Sequence, residues 1–191
     1  MRLTGRNTGR TDKYPDVLKY AQTYCCRRHM YRNVFPKHGI GAEVGVRYGK
    51  NAKELFEETS PRQFHLIDIW KNPDIYRKAK SHLNHPRMFF HTTKSLRAAK
   101  FFPDHYFDWV YVDANHEFES VMLDLWAYRS KIKPGGILAG HDFSRPAPLK
   151  TIQVIDWHFP GVKKSVRYML NELELICFTE EDQRSFSMRV R

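Results

Sequence analysis

The chain has 191 residues, a mass of 22.7 kDa and 41% hydrophobic residues, which suits one domain with its own core, or one domain with an added arm. No stretch approaches the roughly 20 apolar residues that cross a bilayer, and the N-terminus lacks the apolar segment of a signal peptide, so we expect a soluble, cytoplasmic protein without a membrane partner. Lysine and arginine outnumber aspartate and glutamate by 32 to 21, a formal net charge of +11 that favours anionic partners.

Residues 1–13 are predicted to be a flexible basic arm, because they repeat a Thr-Gly-Arg unit and contain almost nothing to bury. Residues 14–35 are predicted to be an N-terminal helical cover, since apolar residues recur at helical spacing from Asp16 to Lys37. This segment has basic residues but no acidic residue between Asp16 and Glu43, and we interpret the charges as a solvated helix face. The main domain is predicted to span 36–191.

From residue 36 onward, short apolar runs alternate with longer amphipathic segments, a pattern typical of a parallel sheet flanked by helices. The apolar runs predict five strands, at 40–46, 64–69, 88–91, 107–112 and 137–140. The intervening segments predict helices, at 50–58, 75–83, 95–102 and 117–131. The Pro-Gly-Gly sequence at 134–136 predicts a stop and a turn before the fifth strand.

The C-terminal part has two more strand-like runs, at 173–179 and 186–190. The polar turn between them, 180–184, is long enough for a hairpin and too short for a crossover. We therefore predict an α/β fold with a mostly parallel seven-stranded sheet, and a C-terminal antiparallel hairpin at one edge.

A glycine-containing motif, Ala-Glu-Val-Gly-Val-Arg-Tyr-Gly, occupies 42–49, where the first strand passes into its helix. Ligands of open α/β sheets bind at this place, and the helix N-terminus offers amide donors to an anionic group. Gly45 and Gly49 permit a tight turn, but their spacing is not that of the dinucleotide fingerprint. Asp68 ends the second strand, where an acid can accept hydrogen bonds from a ribose diol. Together these features favour an adenosine ligand without a diphosphate.

Two further segments make the pattern more specific: Phe-Asp-Trp-Val-Tyr-Val-Asp-Ala-Asn-His-Glu at 107–117 and Lys-Pro-Gly-Gly-Ile-Leu-Ala-Gly-His-Asp at 133–142. With the motif at 42–49, they resemble class I S-adenosylmethionine-dependent methyltransferases. The chain is similar to the subgroup of macrolide-sugar and other small-molecule O-methyltransferases. The resemblance covers about 39–143 and implies a Rossmann-like fold.

The resemblance implies a cofactor site in which Glu43, Gly45 and Gly49 form the first motif. It places the backbone around Val46 and Tyr48 against the methionine portion, and Asn51 stands where a small hydroxyl residue is common. It puts Asp68 on the ribose, Ile69 and Trp70 beside the adenine, and Asp113 near the transferable methyl group. Ser95 lies in the adenine loop, where Thr93 and Lys94 replace the usual Gly-Asp pair.

Methyl transfer to an oxygen requires that the acceptor oxygen, the methyl carbon and the sulfur lie in line and that the acceptor loses its proton. His116 and His141 both follow strand ends, and we favour His116 as the base; Asp142 is a further catalytic candidate. Alternatively, Asp113 and Asp142 hold Mg²⁺, which lowers the pKa of the acceptor. In metal-dependent relatives another acid or amide follows the last aspartate, whereas here its neighbours are His141 and Phe143.

We expect the acceptor to be a sugar-like or other hydroxylated small molecule. The segment 144–160 contains aromatic residues, and we expect it to be either a lid that covers the substrate or a packed loop. A homodimer is also compatible with the N-terminal segment. One alternative is a nucleic-acid methyltransferase, suggested by the net charge, although no Asn/Asp-Pro-Pro-Tyr/Phe loop is present. The other is a non-catalytic module that binds the cofactor.

Overall fold

The computed structural model describes residues 21–142, 162, 165, 166, 169, 173–179 and 185–191. The predictions of an arm at 1–13, a lid or loop at 144–160 and a turn at 180–184 therefore lie outside the described residues. Within the described part of the chain, no helix combines the length and apolar content needed to cross a membrane.

The described residues form eight strands and five helices that largely alternate along the chain. The strands are β1 (Gln22–Tyr24), β2 (Ile40–Val44), β3 (Gln63–Asp68), β4 (Met88–Thr92), β5 (Phe107–Val112), β6 (Ile132–Gly140), β7 (Leu173–Thr179) and β8 (Phe186–Val190). The helices are α1 (Arg27–Val34), α2 (Lys50–Thr59), α3 (Pro73–His82), α4 (Ser95–Ala99) and α5 (Phe118–Arg129).

All eight strands belong to one sheet, in the order β1-β7-β8-β6-β5-β2-β3-β4. Every pair is parallel except β6 with β8 and β7 with β8. The predicted mostly parallel sheet and its C-terminal hairpin are thus confirmed. The neighbours β2 and β5 lie where the strand order reverses, the position at which open α/β sheets bind ligands.

Two apolar layers cover the two faces of this sheet. One contains Ala98 and Leu125, from α4 and α5; the other contains Tyr31, Leu55 and Ala79, from α1, α2 and α3. The central strands are accordingly apolar on both faces, as in β5, where four consecutive residues from Trp109 to Val112 are buried. The cores hold the carboxyl ends of the strands in place, and those ends form the site described below.

The predicted helix from Asp16 to Lys37 is wrong at Gln22–Tyr24. These residues form β1, which pairs in parallel with β7 and adds an eighth strand outside the hairpin. Among the described residues of this segment, 21–37, only Arg27–Val34 is helical. The sheet therefore begins before residue 36, and the hairpin does not lie at its edge.

The Pro-Gly-Gly sequence at 134–136 lies inside β6 and does not precede it. The ladder with β5 pairs Phe107 with Ile132 and then Trp109 with Ile137, so the intervening residues bulge out of register. Gly135 has a φ of +80°, a left-handed conformation that suits glycine at this bulge. The Pro-Gly-Gly sequence therefore does mark an irregular backbone, but at a bulge within the strand. The strand itself begins at Ile132, five residues earlier than predicted.

The basic residues of α1 are paired with acidic residues of α2 and are not simply solvated. Arg27 donates to Glu54 at 2.8 Å, and Arg28 and Arg32 both contact Glu58, at 2.7 and 2.9 Å. These hydrogen bonds hold the pKa of Glu58 well below its usual range. The basic residues of α1 therefore do not form the solvated face that we predicted. They hold α1 against α2 through these ion pairs.

Two histidines share an aromatic pocket between β3 and β4. Nδ1 of His65 lies 3.0 Å from Nε2 of His91, and the rings stack at a centroid distance of 5.2 Å. Phe102 packs against both rings. Burial lowers the pKa of His65 to about 4, helped by repulsion from His91, whose own pKa burial also lowers. Both rings are therefore neutral at neutral pH.

This pair predicts that the fold loses stability in mild acid. His65 takes up a proton near pH 6.5 when unfolded and only near pH 4 when folded, so its contribution is complete above pH 6.5 and falls as the pH is lowered toward 4. Urea unfolding at pH 7.5 and pH 5 should show a loss of about 2 kcal/mol that His65→Gln lacks. The comparison with that variant cancels the titrating groups that do not contact His65, and equal losses in both proteins would refute the prediction.

Candidate active site

The carboxyl ends of β2, β3 and β5 open into a cleft of about 1490 Å³. Its walls come from the loops after these strands, from the start of α2 and from α5. Of the residues predicted from the sequence, ten line it: Glu43, Gly45, Val46, Tyr48, Asn51, Asp68, Ile69, Ser95, Asp113 and His116. The cleft therefore brings together most of the residues predicted for the site, but four of them do not line it: Gly49, Trp70, His141 and Asp142.

Gly45 and Gly49 are required by contacts within the protein. Gly45 has a φ of +93°, and a Cβ there would lie 2.1 Å from the carbonyl oxygen of Asp113. Gly49 is the N-cap of α2 at φ +81°, and a Cβ there would meet Leu83 at 2.5 Å. The two glycines therefore let the ends of β2 and β5 approach and let α2 start beside α3, which shapes the cleft floor.

Glu43 is a buried carboxylate at the floor of the cleft. Its Oε1 accepts a hydrogen bond from Asn51 at 2.9 Å, and Oδ1 of Asn51 accepts one from the Tyr31 hydroxyl at 2.8 Å. The Asn51 amide thus makes both of these hydrogen bonds within the protein. Oε2 of Glu43 has no hydrogen-bond partner among the described residues. Burial raises the pKa of Glu43 well above its usual range, and a cationic donor at Oε2 would lower it again by stabilising the carboxylate.

Asp68 is held at the end of β3 by two backbone amides. Its Oδ2 accepts from the Arg47 amide and its Oδ1 from the Trp70 amide, both at 2.8 Å. The Trp70 indole is buried and donates to the Arg47 carbonyl oxygen at 2.9 Å, so it braces the loop and does not line the cleft. Ile69, 45% exposed, follows Asp68 in the chain and adds an apolar side chain to the cleft lining. The remaining lone pairs of Asp68 suit a pair of hydroxyl donors.

Sequence reasoning missed the contribution of α5. Ser120, Leu123 and Asp124 line the cleft, and their spacing of three and four residues puts them on one helix face. Asp124 is buried, which raises its pKa, while a hydrogen bond with Ser95 opposes the rise. Tyr128 also donates to the Ser95 carbonyl oxygen at 2.9 Å. The helix therefore fixes the loop after β4. In the sequence, the sign of this role was Asp124, an acidic residue among the apolar residues of α5.

His116 lies between two carboxylates at the ends of β5 and β6. Its Nε2 is 2.9 Å from Oδ2 of Asp142 and 3.4 Å from Oδ1 of Asp113. Hydrogen bonds to Asp113 and Asp142 raise the pKa of His116 to about 9. Burial alone would raise the pKa of Asp142, but its contacts with His116 and His141 hold it well below the usual range. At neutral pH the cluster is an imidazolium between two carboxylates.

His141 sits behind this cluster. Its Nδ1 lies 3.2 Å from Oδ1 of Asp142, and its side chain is 13% exposed. It borders a cavity of only about 10 Å³ beside Val162 and Phe186. Asp113, His141 and Asp142 bring possible metal-ligand atoms within 4.8 Å of one another. Of the two predicted bases, therefore, only His116 reaches the cleft.

Four cations line part of the cleft, and of these the sequence analysis named only Lys94. They are Arg27, Arg47, Lys50 and Lys94. The guanidinium of Arg47 lies 5.1 Å from the centroid of the Tyr48 ring, which is 37% exposed. The cleft lining therefore combines positive charge with an exposed aromatic face.

Comparison with known proteins agrees with this geometry. A family model described as a methyltransferase domain matches residues 42–143, more than half of the chain. No curated protein matches the sequence.

Solved structures share the fold at low sequence identity. The N-methyltransferase NodS from Bradyrhizobium japonicum WM9 has a TM-score of 0.61 at 14% identity, covering 86% of this chain and 92% of that one. An S-adenosylmethionine-dependent methyltransferase from Mesorhizobium loti scores 0.61 at 13% identity, covering 84% and 95%. Aeropyrum pernix fibrillarin, solved with natively bound S-adenosyl-L-methionine, scores 0.62 at 12% identity, covering 85% and 73%. At these identities the likeness concerns the fold alone.

Proposed function

The chain belongs to the methyltransferase domain family, and on that basis we propose that it is a class I S-adenosylmethionine-dependent enzyme that methylates a hydroxyl group with His116 as the general base. The observation that carries this proposal is the position of His116, which lines the cleft while its Nε2 contacts Asp142 and Asp113. A histidine held in this way by a carboxylate has a defined tautomer and orientation.

The residues of the cleft fit the cofactor. Glu43 offers a buried carboxylate oxygen without a partner among the described residues, which suits the ammonium group of the methionine portion. Asp68 offers acceptor lone pairs for the ribose hydroxyls, and Ile69 an apolar surface for the adenine. When bound, S-adenosylmethionine supplies a methyl group on a sulfonium, the electrophile of an in-line displacement.

The base works through the nitrogen that does not face the carboxylates. Because Nε2 contacts Asp142 at 2.9 Å, we assign its hydrogen to that contact, and loss of one proton from the imidazolium leaves Nδ1 to accept the proton of the acceptor hydroxyl. Asp142 and Asp113 then stabilise the imidazolium that forms when the acceptor is deprotonated. A positioned base of this kind typically contributes about 10² to 10⁴ in rate.

The same carboxylates are the residues that would hold a divalent cation. Asp113 and Asp142, with His141, would bind Mg²⁺, which would lower the pKa of a coordinated hydroxyl. In this structure His116 contacts both carboxylates, and its imidazolium supplies positive charge where the cation would. We therefore propose that the reaction relies on His116 and needs no metal.

For the acceptor, we propose a sugar-like or other small hydroxylated molecule, as the family resemblance implies. The cleft suits it, since a volume of about 1490 Å³ exceeds the roughly 300–1,000 Å³ of a typical ligand site and leaves room for cofactor and acceptor together. The arginines of α1 add no support for a nucleic-acid acceptor at that surface, because they pair with acidic residues of α2.

Calorimetric titration tests the proposal directly. We expect S-adenosylmethionine and S-adenosylhomocysteine to bind with micromolar dissociation constants, unchanged by EDTA or by added Mg²⁺. Transfer of a labelled methyl group to a panel of hydroxylated acceptors should likewise continue in EDTA. Absence of binding would refute the cofactor assignment, and activity restored only by Mg²⁺ would show that the carboxylates serve a metal.

A further inference from the structure

The sheet edge formed by α3, β4 and α4 carries a strongly unbalanced charge. Between Asp68 and Asp104 the chain has a single acidic residue, Asp74, and eight basic ones. The eight are Lys71, Arg77, Lys78, Lys80, Arg87, Lys94, Arg97 and Lys100. All are exposed except Arg87, which is half-buried over the Phe56 ring and donates to the Pro61 carbonyl oxygen. We call the seven exposed cations, together with β4, the basic edge.

These charges differ from those of α1, whose three arginines each contact a carboxylate of α2. On the basic edge, Arg77 pairs with Asp74, and none of the other six cations forms an ion pair with a described residue. Two of them lie over aromatic rings instead: Lys78 is 5.2 Å from the Tyr48 centroid and Lys80 is 5.4 Å from that of Phe90. The positive charge of this surface is therefore largely uncompensated within the described structure.

The strand between the charged helices is apolar and aromatic. β4 has no lysine, arginine or acid, and Phe89 is 41% exposed. Its ring stacks on His65 with a centroid distance of 5.3 Å and an interplanar angle of 24°, which holds it in place. Edge strands are usually protected from pairing by charges on the strand itself. Here the charges flank an aromatic surface, an arrangement that suits a ligand with both negative charge and flat rings.

The charge pattern selects among possible occupants. A second copy of the chain pairing edge to edge would bring two like-charged surfaces together, which is unfavourable. An anionic membrane is flat and would need the cations to lie on one face of the protein. Here α3 packs on one face of the sheet through Ala79 and α4 on the other through Ala98, so the cations are spread around the edge. A flexible strand can follow such a surface.

We propose that the basic edge binds single-stranded nucleic acid, with phosphates on the lysines and arginines and a base on the exposed face of Phe89. Uncompensated cations supply the phosphate contacts and aromatic side chains the stacking in this mode of binding. The surface is continuous with the cleft, since Lys94 belongs to both. The inference goes beyond methyl transfer: it concerns binding alone and holds whether or not the strand is the acceptor.

Fluorescence anisotropy of a labelled RNA of about 20 nucleotides, titrated at several salt concentrations, tests the electrostatic part. The wild-type chain should bind with an affinity that falls as salt rises. In Lys78→Gln/Lys80→Gln/Arg97→Gln, three phosphate contacts are lost, so the slope of log affinity against log salt should shrink by about 2 and the affinity by at least about tenfold. The matched control, Arg28→Gln/Arg32→Gln/Lys131→Gln, removes the same charge from ion-paired positions and should bind as the wild type does.

A second variant tests the stacking part. Phe89→Leu keeps an apolar contact with His65 but removes the flat ring. Its affinity for the same RNA should fall about tenfold, with the salt slope unchanged, because stacking involves no counterion release.

Three results would overturn the proposal. They are no salt-dependent binding of the RNA, equal weakening by the two triple variants, and binding to vesicles containing phosphatidylserine without binding to RNA. Each is distinct from failure of the methyl-transfer proposal, which the titration with S-adenosylmethionine decides.

Discussion

Replacing His116 by glutamine should lower kcat by about 10² to 10⁴ while leaving the dissociation constant of S-adenosylmethionine nearly unchanged. Glutamine keeps a polar side chain of similar reach in the cleft but cannot take up the proton of the acceptor. His116 is not among the residues that fit the ribose or the ammonium of the cofactor, so binding should survive. If the chain were only a cofactor-binding module, the substitution would have no catalytic effect to report.

The pH dependence should identify the same residue. With a pKa of about 9, His116 is mostly protonated at neutral pH, and the fraction able to act as a base rises as the pH approaches 9. Activity of the wild type should therefore climb through this range. Asp142→Asn removes a partner that raises the pKa of His116, so the rising limb should move toward lower pH. An unmoved limb would mean that another group is the base.

His141→Gln is the matched control for the choice between the two histidines. His141 contacts Asp142 at 3.2 Å but does not line the cleft. Its loss should reduce kcat far less than the loss of His116, since it acts only through the position of Asp142. A larger effect from His141→Gln would reverse the assignment.

The central fold could be predicted because its signals are local. β5 has the bounds expected from its apolar run, and α2 ends within one residue of its prediction. β1 could not be found in this way, since Gln22–Tyr24 is short and its pairing partner, β7, lies some 150 residues later. Its residues satisfy a helical spacing equally well, and only the long-range partner decides between the two structures.

The candidate site was predictable to the extent that strand ends identify it. Residues at or just after a strand end, such as Asp68, Asp113 and His116, could be placed in one cleft because parallel strands end together. Side-chain partners could not: the sequence does not show that Asp142 turns its carboxylate to His116, or that the α1 arginines meet acids of α2. Hence charge runs that look alike in sequence, α1 and the basic edge, differ in the fold.

Replacing Asp68 by alanine should weaken the binding of S-adenosylhomocysteine by about 100-fold or more. Two hydrogen bonds from the ribose to a carboxylate would be lost, each worth roughly 1.5–3 kcal/mol. Asp68→Asn should fall between the wild type and alanine, because one amide oxygen remains as an acceptor and the NH₂ group faces donors. Titration calorimetry measures all three proteins.

The loss of binding must be separated from loss of the loop, since Asp68 also accepts hydrogen bonds from the amides of Arg47 and Trp70. A ligand lacking the ribose 2′-hydroxyl makes this separation. If Asp68 binds the diol, 2′-deoxy-S-adenosylhomocysteine should bind the wild type more weakly than the parent compound, yet bind Asp68→Ala with the same affinity as the parent. If Asp68 only supports the loop, removing the hydroxyl should weaken binding to both proteins by the same factor, because the two changes would then be independent.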